Sequence, residues 1–254
     1  MIEDPIFYLL AVPAVLIAGI SKGGLGGGLG IVAVPMMALA IGPVQAAAIM
    51  LPILCVMDLH GLWLYAGQWS RPNMATMIPG AMVGTVVGTL SFQYLDPAAI
   101  QLLIGIIALA FVAYRFAPVS QVLVEQPAGG KPLSGVVWGA VSGFTSFVAH
   151  AGGPPASVHL LPQRLHKTEF VGTTVVFFTV VNYVKLVPYW FLDQFPVGNL
   201  MTAGILLPLA PLGMWVGWIL HHRISQGWFY AICYVFLTIT GVKLTWDGIV
   251  ALVG

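Results

Sequence analysis

Three ionisable residues stand where the surrounding sequence is too apolar to welcome them: Lys22 in AGISKGGLGGGLG, Asp58 in MLPILCVMDLHG and Lys185 in VVNYVKLVPYW. An ion at the centre of a membrane helix costs at least about 2.5–3.5 kcal/mol, so such groups face a polar cavity or one another. The chemistry open to them is electrostatic. A lysine ammonium attracts an anion, and Asp58 either pairs with a lysine or carries a proton. A purely structural ion pair is the competing reading. Asn182 precedes Lys185 by three positions, which puts both on one helical face. His60 lies beside Asp58 as a candidate supporting residue. Lys243 sits near enough to the end of its apolar run for its head to reach the interface.

Lys22 opens a run in which six of eight residues, Gly23 to Gly30, are glycine. Each costs a helix about 1 kcal/mol relative to Ala, so the helix is expected to break here. In lipid the freed amides need protein or a wet cavity as partner. A second arm starting near Leu29 would present its first amides, and their partial positive charge, to an anion. The later stretch His150-Ala151-Gly152-Gly153-Pro154-Pro155 has the same character, with proline placed where a first helical turn loses nothing by it. Two helix starts facing each other near mid-membrane, reached from opposite sides, would make an oxyanion site. Its expected lining is Lys22, Gly24, Gly26, Gly27, Gly28, His150, Gly152, Gly153, Pro154, Thr173, Asn182 and Lys185, with Asp58 and His60 as coupling or ion-pair residues. Thr174, Gln45, Ser21, Thr145 and Ser146 are further candidates, although buried hydroxyls often bond the preceding helical turn instead. For Gly84 and Gly88, and for Gly213 and Gly217, close helix packing is the preferred reading.

No metal site is expected. His159 and His166 have no acidic partner at ligand spacing, and Cys55 and Cys233 lie in apolar runs without a CxxC. His221 and His222 beside Arg223 read as interface residues. No cofactor is implied.

The elements that must position these residues are membrane helices. The chain is 59% hydrophobic and 7% charged, with mean hydropathy +0.97, against roughly 25% charged residues in a soluble domain. The formal net charge of +1 offers no field for nucleic acid. Glu3 and Asp4 precede the first apolar segment, so it is not expected to be a cleaved signal. Apolar runs fall near 6–21, 29–41, 45–66, 74–92, 98–117, 133–150, 155–165, 169–191, 197–221 and 225–250. Those at 29–41 and 155–165 are too short to cross a bilayer.

Two halves recur: residues 1–117 and 132–254, joined by a polar linker at 118–131. Ala18-Gly19-Ile20 matches Ser142-Gly143-Phe144, Asp58 matches Asn182 at the same offset, and Pro79, Gly84 and Gly88 match Pro208, Gly213 and Gly217. Such self-similarity marks transporter folds built from repeats. The expected fold is an all-α polytopic membrane protein of two inverted repeats, each a re-entrant or broken helical hairpin plus three transmembrane helices. Arg71, Arg115, Lys131, Arg164, Lys167 and Arg223 then share one face, cytoplasmic by the positive-inside rule, while Glu3, Asp4, Asp96 and Asp193 share the other.

The stretches Ala18 to Leu39, Met50 to Asp58, Pro79 to Leu90 and Phe147 to Trp190 resemble the sulfite exporter TauE/SafE family of anion permeases. The Gly-Gly-Pro-Pro block with Thr173 and Asn182 to Lys185 downstream is its specific part. The resemblance implies a secondary transporter exporting sulfite or a small organosulfonate such as sulfoacetate across the bacterial inner membrane, not an enzyme. The partners expected are a small anion and the lipid bilayer, with a homodimer as a candidate assembly. Two other readings stay open: an intramembrane enzyme using His150 and Asp58, and an anion channel.

Overall fold

The computed structural model describes residues 2–27, 30–94, 96–116 and 130–253. Gly28, the expected start near Leu29 and most of the expected linker lie outside the described residues. Every regular element among those described is helical. In order they are α1 (Pro5–Gly24), α2 (Ala33–Ile41), α3 (Pro43–Leu64), α4 (Arg71–Ser91), α5 (Pro97–Phe116), α6 (Pro132–Ala149), α7 (Gly153–Leu160), α8 (Lys167–Phe191), α9 (Val197–Leu206), α10 (Leu209–Arg223) and α11 (Gln226–Val253). Among the described residues six helices are long and apolar enough to span a bilayer, and α9 and α10 reach that length only together, bent by 41° at the break between them. At 1.5 Å per residue, a 20-residue helix matches the roughly 30 Å hydrocarbon core.

That bend was not legible in the apolar run at 197–221. Pro208 and Pro211 each lack the N–H that would bond four residues back, so two neighbouring rungs of the helical ladder are missing. Pro79 stands alone inside α4, and that helix continues through it.

The chain divides into two compact units, each drawing on both halves of the sequence: residues 1–69 with 171–225, and 70–170 with 226–254. In the first unit, α1 runs parallel to α10, with Gly19 against Gly213 and Gly24 against Gly217. A Cβ on Gly19 would lie 2.9 Å from the Gly213 Cα, so the backbones meet only because both residues lack side chains. The apolar core of this unit packs Phe7, Val15, Met37, Ile49, Ile53 and Met214 together. Both ends of the α1–α2 hairpin lie beside α9, where the Ile2 amide donates to Thr202 Oγ1 and Gln45 Nε2 donates to Asn199 Oδ1. Helices α3 and α8 run antiparallel. Gly172 near the start of α8 packs on Gln68 and Tyr65 past the end of α3, and a cavity of about 420 Å³ joins Gly42 and Gln45 to Asp193 and Asn199 at the opposite end.

In the second unit, α4 runs parallel to α6 through contacts of Gly80 with Val136, Gly84 with Ala140 and Gly143 with Ala81. The expected packing role of Gly84 and Gly217 is therefore seen in the two units alike. Helices α5 and α11 lie antiparallel, Gly105 against Thr245 and Gly248 against Leu102. The short α7 is tied down by a buried polar network. His159 bonds Asn73 Oδ1 (2.9 Å) and Ser134 Oγ (3.0 Å), and Gln163 exchanges two hydrogen bonds with the Asn73 carboxamide. These contacts gather the starts of α4, α6 and α8, hence Arg71, Lys131, Arg164 and Lys167, at one end of the unit.

Candidate functional site

The expected break of α1 falls within the glycine run. The helix continues through Gly23 and Gly24 and breaks at Leu25. Propensity is overridden by packing, because any side chain at Gly23 or Gly24 would collide with the Met214 or Gly217 main chain on α10. The turn itself uses Gly26 at φ 70° and Gly27 at φ 83°, a left-handed region that glycine enters without strain. Its amides are partly satisfied within the turn: Leu25 and Gly27 donate to the Ser21 carbonyl and Gly30 to that of Gly27. After a 3₁₀ turn at Gly30–Val32, α2 begins.

Two side chains from elsewhere finish the broken end of α1. Tyr65 Oη donates to the Gly23 carbonyl at 2.5 Å, and His221 Nδ1 lies 3.0 Å from that of Gly24. The two rings meet edge to face with centroids 5.7 Å apart. Terminal carbonyls of a helix need partners, and here both are buried. The expectation that His221 is an interface residue is therefore corrected, since it is fully buried against the hinge.

With α1 held there, Lys22 meets Asp58. The ammonium Nζ stands 2.6 Å from Asp58 Oδ1, with the side chains 8% and 0% exposed. Asn182 Nδ2 donates to Asp58 Oδ2 at 2.8 Å. Lys185, one turn further along α8, is fully buried and within electrostatic reach of both Asp58 and Lys22. Asp58 lies 13 residues from Gln45 and 10 from Gln68, while Asn182 lies 11 from Asp193 and 10 from Gly172. Both residues thus sit within their helices, Asp58 about 9 Å from the end of α3 and Asn182 about 13 Å from the end of α8. Four residues singled out for their type and spacing, Lys22, Asp58, Asn182 and Lys185, come together in one compartment of the first unit.

Thr173 and His60 stand elsewhere on the helices that carry the cluster. Thr173 is buried in α8 but nine residues, about 13 Å, from Asn182. His60 is half-buried on α3 and two residues from Asp58, which turns it about 200° around the helix. Thr145 and Thr174 bond carbonyls of their own preceding turns, Val141 and Val171. The turn from His150 to Pro154 belongs to the second unit. There His150 is left-handed at φ 52°, Ser142 Oγ donates to the Gly152 carbonyl at 2.7 Å, and α7 starts at Gly153, three residues before the expected Ala156. Among the described residues no group of three or more His, Cys, Asp or Glu is placed to hold a metal ion.

A buried cluster of two lysines and one carboxylate within apolar helices is costly unless its members pair with one another or face a polar cavity. Comparison with known proteins supplies the context. The family model of the sulfite exporter TauE/SafE matches residues 11–244, nearly the whole chain. The chain belongs to the TauE/SafE family. This is a family of anion exporters, and the apolar helices are those of a multi-pass membrane transporter. Neither curated proteins nor solved structures return a match.

Proposed function

We propose that this TauE/SafE protein is a secondary transporter exporting a small sulfur-containing oxyanion, sulfite or a small organosulfonate such as sulfoacetate. The observation that carries the reading is the compartment around Asp58. Lys22 and Lys185 supply two ammonium groups and Asp58 one carboxylate, so with all three ionised the buried cluster holds a net charge of +1. An uncompensated cation in an apolar interior is unstable, and a bound anion compensates it. Lys22 and Lys185 bind the oxyanion, Asn182 orients Asp58, and the Gly24–Gly27 hinge lets α1 carry Lys22 through the transport cycle.

The movement is alternating access by two inverted repeats in the inner membrane. Two features support it. The parallel pair α1 and α10 in the first unit corresponds by repeat to α6 and α4 in the second. Asp58 and Asn182, equivalent by sequence offset, hydrogen-bond to each other on antiparallel helices. Equivalent residues that touch lie beside the two-fold axis relating them. The gathering of Arg71, Lys131, Arg164 and Lys167 at one end supports a cytoplasmic face there. An inside-negative potential drives a free monoanion outward at about 2.3 kcal/mol per 100 mV.

Purified protein in liposomes loaded with labelled sulfite or sulfoacetate tests the reading. A carrier gives saturable efflux of the unchanged anion. Flux that rises without saturation would instead indicate a channel.

A further inference from the structure

Lys22 is asked to serve two anions. Its ammonium is held at 2.6 Å by Asp58 Oδ1. An oxyanion brought to the same Nζ places two negative groups around one ammonium in an apolar surround, and like charges that close do not both stay ionised. Asp58 is fully buried. A buried carboxylate parted from its cation is more costly than its protonated form. Asn182 Nδ2 donates to Oδ2 at 2.8 Å, and that bond serves the carbonyl oxygen of a neutral acid as well as a carboxylate, leaving Oδ1 as the atom to be protonated.

We propose that the site binds one anion and one proton together: the anion takes Lys22 from Asp58, and Asp58 Oδ1 takes up a proton from water as the anion arrives. This rests on the reading of Lys22 and Lys185 as the anion-binding pair and deepens it by naming the coupled ion. One O–H bond forms at Oδ1, no bond in the anion breaks, and Lys22 remains an ammonium. For a dianion such as sulfoacetate, the loaded site then sets two ammonium groups against two negative charges and holds no net charge.

The groups that face Asp58 fit this exchange. From α1 comes Lys22, from α8 Lys185, Tyr183 and Asn182, and from α3 itself Cys55. Helix α10 packs Met214 against Gly61 one turn beyond Asp58, while its His221 is engaged further along, at the Gly24 carbonyl. Asp58 is the one carboxylate among these groups, and so the natural acceptor of the proton.

The test is calorimetric titration of the full chain in detergent with sulfoacetate, whose sulfonate and carboxylate both stay ionised near neutral pH. Pairs of buffers with different ionisation enthalpies count the protons. One proton taken up per anion bound, with affinity falling by about tenfold for each pH unit, is the expected result. Asp58→Asn should bind sulfoacetate without proton uptake and with an affinity independent of pH. Binding to the natural sequence without proton uptake, or uptake that persists in Asp58→Asn, overturns the proposal. Unchanged sulfoacetate affinity in Lys22→Gln is a different failure, because it removes the anion site itself.

Discussion

Replacing Lys22 with methionine isolates the energetics of the central cluster. The substitution keeps the length and apolar stem of the side chain while leaving Asp58, fully buried, with the Asn182 amide as its hydrogen-bond donor. Removing one partner of a buried ion pair costs about 3–5 kcal/mol. A second route gives the same figure. The orphaned carboxylate escapes its burial by taking a proton, which at pH 7 costs about 1.4 kcal/mol for each of the roughly three units above its ordinary pKa, or about 4 kcal/mol. The sign with pH follows. Protonation becomes cheaper as pH falls, so the penalty should shrink by up to about 1.4 kcal/mol per unit between pH 7 and pH 5. Adding Asp58→Asn removes the orphaned charge, and the double variant should recover most of the loss. Denaturant unfolding in mixed micelles, followed across this pH range for both single variants and the double, measures the coupling directly. A Lys22→Met protein as stable as the natural one, or a double variant no more stable than Lys22→Met, would refute the reasoning.

Three further outcomes are expected. Gly84→Ala places a methyl group against the Ala140 carbonyl, so it should destabilise the second unit by about 1–3 kcal/mol, read as earlier unfolding, whereas Gly204→Ala, where a Cβ meets open space, should not. Tyr65→Phe and His221→Leu each leave a buried carbonyl at the α1 break without its donor, costing about 1–3 kcal/mol. Both should raise hydrogen exchange at Leu25 to Gly27 while leaving α7 unaffected. His159→Leu removes one partner each from Asn73 and Ser134 in the second unit, and should increase protease cleavage near α7 without altering the Tyr65–His221 contact.

Helix placement was largely legible, because in a membrane protein an apolar run and a helix are nearly the same thing. The runs at 45–66 and 169–191 became α3 and α8 within a few residues. Lys22, Asp58, Asn182 and Lys185 were legible because a charge in such a run is expensive and asks for a partner. Which lysine Asp58 pairs with was not, since that depends on where α1 and α3 cross. The break within the glycine run was legible but its place was not: Gly23 and Gly24 stay helical because their bareness lets α1 lie against α10. His221 and Tyr65 gave no signal. One stands beside His222 and Arg223 at a helix end, the other past the end of α3, and only the fold brings them to Gly23 and Gly24. The compact units also escaped the sequence, since each is assembled from segments far apart in the chain.

The central claim is that Lys22 and Lys185 hold the transported anion. It is tested most directly by efflux of labelled sulfite from proteoliposomes carrying Lys22→Gln or Lys185→Gln, at matched protein content and with elution profiles showing folded protein. The account predicts that saturable efflux is lost in both while Gly204→Ala retains it. Saturable efflux at the natural rate and half-saturation in both lysine variants would contradict it.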